Sequence, residues 1–333
     1  MNSIKCFVEK CMHKSDPKIV VVGGGTGLSV LLRGLKEYTR NITAIVTVAD
    51  DGGGSGVLRQ EMGMLPPGDI RNCMMALAEA EPVITDLINY RFTEGSLKGQ
   101  SFGNLFLAAM TGISPNFETA VQKMSDVLNV RGRVLPVTVE NVDLEATLMD
   151  GQVVRGESTI PEVAKEHNCR IGHISLVPAG VAPLPEAIKA IDEADLIVLG
   201  PGSLYTSIMP NLLVKGIPEA INKAKAKTVY VCNIMTQSYE TYGHSAYDHY
   251  MAIINHTHKN LVDYCIVNTT KISKEKADKY KSECSVQVEV DRDKFEKAQV
   301  ELIEADLINH ADTLARHDND KLARLIIDIY RRK

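Results

Sequence analysis

The chain has 333 residues, of which 44% are hydrophobic and 24% are charged, and its formal net charge is −5. These proportions exclude an intrinsically disordered chain and provide enough apolar material for one large core or two smaller ones. The acidic balance gives no electrostatic basis for binding nucleic acid over the whole surface, so an anionic ligand must be held by local chemistry.

The first 17 residues are expected to form a tail in front of a single folded domain at residues 18–333. The tail holds no long apolar run, which predicts neither a secretory signal nor membrane insertion. The seven cysteines of the chain are scattered without paired zinc-type spacing, a usage typical of a reducing compartment such as the cytoplasm. Cys6, Cys11 and His13 lie in the tail without an evident fourth ligand, which argues against a zinc site there.

The domain opens with a strand, a helix and a second strand. Residues 18–22 are a short β-branched run that ends at glycines, as expected for a strand buried on both faces of a parallel sheet. A helix is predicted over residues 28–38 and a strand over 42–48, where the chain reaches Asp50, Asp51 and a second group of glycines. This βαβ unit favours an α/β fold of Rossmann-like type, with a parallel sheet between two layers of helices.

The elements after this unit are read from turn signals and periodicity. Pro66, Pro67 and Gly68 break the chain, and Asp69 is predicted to cap a helix over residues 70–80. An antiparallel insertion is expected near residues 134–180, because Asp150-Gly151 is typical of a tight hairpin turn. The remaining predictions are helices over 83–90, 105–110, 184–191 and 321–331, hairpin strands over 142–149 and 153–157, and strands over 196–199, 228–232, 264–267 and 286–290.

A glycine-rich loop follows the first predicted strand. The loop reads Gly23-Gly24-Gly25-Thr26-Gly27, and backbone amides at the start of a helix favour an anion such as phosphate. Leu28 departs from the dinucleotide pattern G-x-G-x-x-G, and the loop lacks the Gly-Lys-Ser/Thr ending of a P-loop. The alternative is a tight turn that only lets the helix pack on the strand.

A second loop of the same kind, Gly200-Pro201-Gly202-Ser203, follows a later strand, and Ser203 can donate a hydrogen bond at a helix N-terminus. Ligands of open α/β sheets collect at the carboxyl ends of strands where the strand order reverses, so one diphosphate is predicted to lie between the two loops. Polar side chains near strand or loop ends can read hydroxyl groups or base edges: Asn72, Asn104, Asn233, Thr236 and Gln237.

Asp50 and Asp51 end the second predicted strand. One of them is predicted to meet a hydrated divalent metal such as Mg²⁺ near a phosphate, while the other organises the glycine loop. The alternative is a solvated acidic turn. His244, His249, His256 and His258 are interpreted as solvated or core residues, because their spacing lacks the HExxH pattern of metalloproteases.

Five stretches, KIVVVGGGTGLSVLL, TVADDGGGSG, LPPGDIRN, VLGPGSLYTSIMPNLL and CNIMTQ, together resemble the YvcK-like gluconeogenesis and cell-morphogenesis factors, a branch of the CofD-like superfamily. The resemblance begins at Lys18 and spans most of the chain. It implies a Rossmann-like fold, a cytoplasmic location and binding of a uridine diphosphate sugar such as UDP-N-acetylglucosamine. The enzymatic members of the superfamily are 2-phospho-L-lactate transferases, which use a guanosine diphosphate-linked donor.

The resemblance also assigns roles to residues. It implies that Gly24, Gly25, Thr26 and Gly27, Gly200, Pro201, Gly202 and Ser203, and Asn233 bind the diphosphate region, and that Tyr280 and Arg316 contact the sugar nucleotide. The planar fork of an arginine can hold two phosphate oxygens, although a surface arginine at a helix start is the alternative interpretation of Arg316. Some relatives are phosphorylated on a threonine after the Arg-His-Asp triplet; Asn319 stands at that position here, so the resemblance does not extend to this regulation.

The sequence therefore predicts a regulatory protein that binds a UDP-sugar and supports cell shape and wall synthesis during gluconeogenic growth. No catalytic residue is assigned and no certain cofactor is required. The alternative is a metal-dependent transferase that moves a phosphoryl-linked group from a nucleotide-linked donor. A homodimer is the default assembly, and cell-wall synthesis proteins are the expected partners.

Overall fold

The structure is a computed structural model that describes residues 16–281 and 284–332. Most of the predicted tail, with Cys6, Cys11 and His13, lies outside the described residues. The chain order of the strands is β1 (Ile19–Gly23), β2 (Ile42–Val46), β3 (Arg133–Pro136), β4 (Asp143–Leu148), β5 (Val153–Arg155), β6 (Ile171–Val177), β7 (Leu196–Leu199), β8 (Lys227–Val231), β9 (Tyr264–Asn268) and β10 (Glu301–Ala305).

Seven of these strands form one parallel sheet in the order β10-β9-β8-β7-β1-β2-β3, with helices on both sides. Every residue of β1, β2 and β7 is buried, which explains their continuous β-branched composition. The first strand lies inside the sheet and pairs with both β2 and β7. The chain builds the sheet in one direction through β3 and in the opposite direction from β7 onward, so the strand order reverses between β1 and β7.

The predicted antiparallel excursion is a separate three-stranded sheet in the order β5-β4-β6. Residues 133–136, at the start of the predicted insertion, instead form a parallel edge strand beside β2. The turn at Asp150-Gly151 joins β4 to β5 as predicted, and Gly151 has a φ of +89°. Glycine suits this position because left-handed backbone strains other residues.

The α-helices begin and end as follows: α1 (Gly25–Leu35), α2 (Gly53–Met62), α3 (Gly68–Leu77), α4 (Pro82–Asn89), α5 (Phe102–Gly112), α6 (Phe117–Val127), α7 (Thr159–Glu166), α8 (Pro185–Asp192), α9 (Met209–Leu212), α10 (Ile217–Lys223), α11 (Ala246–His256), α12 (Lys274–Tyr280), α13 (Arg292–Phe295) and α14 (Asn319–Arg331). A π-helix, Leu204–Ile208, leads directly into α9. None of the helices in the described part of the chain has the length and apolar character that a membrane crossing requires.

Two of the predictions are wrong. Residues 286–290 do not form a strand: Gln287 makes only an isolated bridge with Met235, because this segment crosses the carboxyl edge of the sheet beyond β8. The last strand is β10 instead. Asp69 does not cap α3, since Pro67 holds the N-cap position and the helix already begins at Gly68.

The C-terminal helix α14 packs against α1, the helix that follows the first strand. Gly34 lies at the crossing, where a Cβ atom would stand 2.1 Å from the backbone oxygen of Asn319 and 2.9 Å from the Cβ of Ala323. The two helix backbones therefore approach more closely than any side chain at position 34 would allow. This contact places the end of the described chain beside the first glycine loop's helix.

Candidate functional site

The two glycine loops meet where the strand order reverses, as predicted. A Cβ atom on Gly27 would lie 2.7 Å from the carbonyl oxygen of Pro201, and one on Gly202 would lie 3.2 Å from that of Gly24. The backbone of the second loop thus leaves no room for a side chain at position 27, and a side chain at position 202 would require a small shift of the first loop. The position agrees with the general rule that α/β sheets bind ligands outside the carboxyl ends of strands at such a point.

A cavity of about 590 Å³ opens over the paired loops. Its volume lies within the range of ligand pockets. Eight of the nine residues predicted for the phosphate region line it, together with Tyr280 and Arg316, and only Gly200 does not. Other residues line the cavity although the sequence did not indicate them: Thr206, Ser207, Met235, Glu240 and His317. Asn72 and Asn104, which the sequence suggested as polar contacts, do not line it.

The first loop offers backbone amides at the start of α1. Gly24 is the N-cap and no side chain of the loop caps the helix. The first N–H groups of a helix have no partner within it, so those of Thr26 and Gly27 are suited to an anion. The amide of Gly25 is already used, because it donates to the carboxyl of Asp69.

Asp69, which lies in α3, therefore contacts the first loop. Its carboxyl lies so close to Gly24 that a Cβ atom there would stand 2.4 Å from Oδ2. Burial raises the pKa of Asp69 to about 6, and the nearby charge of Asp50 adds to this effect, whereas the Gly25 amide opposes it. The position of Asp69 at the start of a predicted helix suggests a helix cap, and it does not suggest a contact with a distant loop.

The second loop is held from its far side by two amide side chains. The Nδ2 of Asn233 donates to the carbonyl of Gly202 at 2.9 Å and lies 3.3 Å from Oε1 of Gln237. The Nε2 of Gln237 donates to the hydroxyl of Ser203. Ser203 directly precedes the π-helix, and its side chain does not cap it. Asn233 thus positions the loop as well as lining the cavity.

Asp50 and Asp51 do not line the cavity. Both carboxylate oxygens of Asp51 accept backbone amides, from Glu157 at 3.0 Å and Ser158 at 2.9 Å, so Asp51 fixes the segment before α7. Oδ1 of Asp50 accepts the amide of Gly52 at 2.9 Å, and burial raises the pKa of Asp50.

Within residues 16–281 and 284–332, no group of three or more His, Cys, Asp or Glu side chains could hold a metal ion. Magnesium is often bound by one or two carboxylates together with the phosphates of a ligand. Asp50 fits only that kind of shared site, and both oxygens of Asp51 already accept backbone amides. The predicted role of this pair in metal binding stays a prediction.

The far wall of the cavity comes from Tyr280, Ser285 and residues 315–317. The hydroxyl of Tyr280 accepts the amide of Ala315 at 3.0 Å. The guanidinium of Arg316 is 48% exposed and lies 4.0 Å from the carboxylate of Asp312. Burial lowers the pKa of His317 to about 4, so its ring is neutral at pH 7, and its Nε2 is buried with no hydrogen-bond partner. The wall presents one cation on a flexible side chain.

Glu240 lies on the inner wall and is 4% exposed. Its Oε1 accepts the amides of Tyr205 at 2.7 Å and Thr206 at 3.3 Å. Burial raises its pKa to about 7, and the two amide donors partly offset this effect. The sequence around Glu240, TQSYETYG, is polar and gave no sign of a buried acid.

The four histidines do not all share one site: His244 and His256 line a separate cavity, and the ring of His244 lies 5.6 Å from that of His249. His249 is fully buried and its Nδ1 lies 2.8 Å from the Ser245 carbonyl, which agrees with its interpretation as a core residue. The ring of His256 lies between the Ala252 carbonyl and the Ile174 amide. His258 is at the surface near Glu219.

Three buried acids predict that the free energy of unfolding falls as the pH rises through neutrality. The pKa values of Asp69, Glu240 and Glu157 are raised by burial to about 6, 7 and 8. Each acid holds its proton more tightly in the folded chain than in the unfolded chain, so its contribution is present at low pH and is lost as the pH rises through these values. Glu240 alone is expected to contribute a fall of roughly 1 kcal/mol between pH 6 and pH 8.

Urea unfolding at pH 6, 7 and 8 measures this fall, and Glu240→Gln should make it smaller. Below pH 6.5 the fall is less steep, because burial lowers the pKa of His249 and of His317 to about 4 and the unfolded chain takes up protons on these two residues. A free energy of unfolding that rises steadily from pH 6 to pH 8 would contradict the assignment.

This chain is similar to a family of known proteins. Residues 19–308 match the model of the family described as 2-phospho-L-lactate transferase CofD. The chain is 56% identical over 317 residues to the "putative gluconeogenesis factor" of Thermoanaerobacterium thermosulfurigenes, with 95% of this chain and 98% of that protein covered. It is 50% identical over 314 residues to the "gluconeogenesis factor" of Bacillus subtilis, with 94% and 98% covered.

The crystal structure of a protein of the UPF0052 family from Bacillus halodurans is similar to this chain, with a TM-score of 0.90 and 47% sequence identity. The similarity covers 93% of this chain and 99% of that protein. Arg316 and His317 lie beyond the part matched by the family model, but the similarity to the full-length relatives extends over nearly the whole chain.

Proposed function

Because this chain belongs to the CofD family, we propose that it is a gluconeogenesis factor that binds a UDP-sugar, such as UDP-N-acetylglucosamine, between its two glycine loops. It acts in the cytoplasm and couples the level of this ligand to cell-wall synthesis and cell shape during growth on gluconeogenic carbon. Its partners are proteins of wall synthesis, and a homodimer is the proposed assembly. The names of the relatives support the first part of the proposal, and the cavity supports the ligand class.

The observation that carries the proposal is the meeting of two amide-rich loops in one cavity. Free helix amides at Thr26 and Gly27 form one half of an anion site. Gly202 and Ser203 form the other half, at a distance set by direct backbone contact between the loops. A single diphosphate can contact both halves. The guanidinium of Arg316 on the far wall supplies a charge that can reach a phosphate from the open side.

The remainder of the cavity suits the uncharged parts of a nucleotide sugar. Ile234 and Met235 supply apolar surface for a base or a sugar ring, and Tyr280 adds a partly buried aromatic ring. Gln237 and Ser238 supply hydrogen-bonding groups. Such a mixture of apolar surface and few polar groups is typical of sites for small organic ligands.

A binding role is favoured over catalysis by the state of the hydroxyl groups. The Ser203 hydroxyl accepts from a glutamine amide, which cannot activate it as a base would. The ring of His317 is held by the backbone of Cys232. The hydroxyl groups of five other lining residues make no hydrogen bond to a histidine or a carboxylate of the described chain: Thr26, Thr206, Ser207, Thr236 and Ser238.

Titration calorimetry with UDP-N-acetylglucosamine tests the proposal. We expect measurable binding by the wild-type chain and about 10- to 100-fold weaker binding by Arg316→Ala, because a hydrogen bond to a charged group contributes about 1.5–3 kcal/mol. Arg324→Ala is the matched control: Arg324 is 66% exposed, pairs with Asp320 and does not line the cavity. Absence of binding or thermal stabilisation at millimolar ligand would refute the proposed ligand class.

A second function is favoured by the acids beside the first loop. Asp50 and Asp69 raise each other's electrostatic energy next to the proposed phosphate position, an arrangement that a magnesium ion brought in with the ligand would relieve. A transferase of this kind would consume a nucleotide-linked donor only with magnesium present, and Asp50→Asn would abolish turnover. Recovery of an unchanged nucleotide sugar after incubation with magnesium and candidate acceptors would count against it.

A further inference from the structure

Glu240 is the one acidic side chain among the described residues that line the cavity. It lies on the segment after β8, and its carboxyl contacts the start of the π-helix that directly follows the second glycine loop. A negative group is therefore built into a cavity whose two loops are suited to bind a negative ligand. The distribution of its hydrogen bonds indicates what it does there.

Only one of the two carboxyl oxygens of Glu240 has a recorded hydrogen bond. Oε1 accepts both amides of the π-helix start, at 2.7 Å from Tyr205 and 3.3 Å from Thr206. Oε2 has no hydrogen-bond partner in the described part of the chain and is not fully buried. Because Glu240 lines the cavity, Oε2 is available to a group inside it. As an ionised carboxylate it can only accept hydrogen bonds.

The Glu240 carboxyl also prevents the second loop from binding an additional phosphate. The amides of Tyr205 and Thr206 would be the natural continuation of the anion site beyond Ser203, and Glu240 already occupies them. A phosphate that extended the bound diphosphate in this direction would lie against a buried carboxylate. Repulsion between like charges is large where the surroundings exclude water.

We infer that Glu240 is a specificity-determining residue: it accepts a hydrogen bond from a hydroxyl or amide group of the uncharged moiety on the diphosphate, and it rejects a third phosphate. The inference rests on the proposed function and narrows its ligand to nucleoside diphosphates that carry a neutral, hydrogen-bond-donating group. Nucleoside triphosphates, which share the base, the ribose and two phosphates, are excluded by charge. This is discrimination by a repulsive element built into the site.

Glu240→Gln tests the inference because the amide oxygen of glutamine can still accept the two backbone amides while the charge is lost. Binding of UDP-N-acetylglucosamine, UDP and UTP is measured by calorimetry without divalent metal at pH 8, because the pKa of Glu240 is about 7 and its carboxyl must be ionised. The wild-type chain should prefer the UDP-sugar to UTP by at least about tenfold. In Glu240→Gln we expect UTP to bind at least about tenfold more tightly and the UDP-sugar several-fold more weakly.

Glu240→Asp is the matched variant that keeps the charge, and it should continue to reject UTP. If Glu240 only caps the π-helix, Glu240→Gln leaves the ratio of the UDP-sugar and UTP affinities unchanged, and the inference is wrong. If neither variant folds, the wild-type chain decides alone: equal affinities for the UDP-sugar and UTP overturn the inference but leave the proposed function intact. Failure of the wild-type chain to bind any of the three probes refutes the proposed function itself.

Discussion

Replacing Gly27 by alanine is expected to separate the two glycine loops and to weaken UDP-sugar binding about 100-fold. The new Cβ atom would lie 2.7 Å from the oxygen and 3.0 Å from the carbon of the Pro201 carbonyl. Both neighbours are backbone atoms, so the loops must move apart. Two hydrogen bonds to a charged diphosphate would be lost or lengthened, and each contributes about 1.5–3 kcal/mol. Titration calorimetry measures the loss of affinity.

Gly112→Ala is the control for this substitution. Gly112 ends α5, and a Cβ atom there would meet no atom within 4 Å. This variant should bind like the wild-type chain and change the free energy of unfolding by no more than about 0.5 kcal/mol. A Gly27→Ala variant that folds and binds the UDP-sugar with unchanged affinity would show that the diphosphate does not depend on the approach of the two loops.

Gly34→Ala is expected to cause the largest loss of stability, about 3 kcal/mol. The Cβ atom would lie 2.1 Å from the backbone oxygen of Asn319 and 2.8 Å from its carbonyl carbon, so α14 would have to move away from α1. Insertion of atoms into a tight contact commonly costs about 1–3 kcal/mol, and here the obstacle is backbone. The better helix propensity of alanine, about 1 kcal/mol, offsets only part of this loss.

Urea or thermal unfolding measures the change, with Gly112→Ala again as the control, and the transition temperature should fall by roughly 4 °C. Because Asn319 follows the Arg316-His317-Asp318 triplet, displacement of α14 should also weaken ligand binding. A stable Gly34→Ala variant with unchanged binding would contradict the packing of the two helices at this position.

The glycine loops and the central strands could be predicted because their signals are local. A β-branched run that ends in glycines is typical of a strand buried on both faces of a sheet. Residues 19–23 and 196–199 form the expected buried strands. The first loop follows β1 as predicted, although α1 begins at Gly25 and not at residue 28. Helix α2 was missed because Gly53, Gly54 and Gly56 have poor intrinsic helix propensity, which the surrounding structure overrides.

The parts that could not be predicted depend on contacts between distant segments. Alternating hydrophobicity in residues 286–290 is compatible with a strand, but the position beside β9 at the sheet edge is taken by the later strand β10. Asp69 and Glu240 acquire their roles from amides elsewhere in the chain, at Gly25 and at Tyr205. Neither contact leaves a periodic or compositional trace. Tyr280 and Arg316 came from the resemblance, and the structure places both of them on the cavity.

The placement of β1 inside the sheet has a consequence for synthesis of the protein. The first glycine loop leaves the ribosome early, the second follows much later, and Arg316 emerges only when α14 is about to be made. A nascent or truncated chain can therefore carry both loops and still lack the far wall of the cavity. Contacts of this long range form late in folding. Under the proposed function, full contact with the ligand therefore requires a chain that has been synthesised through Arg316.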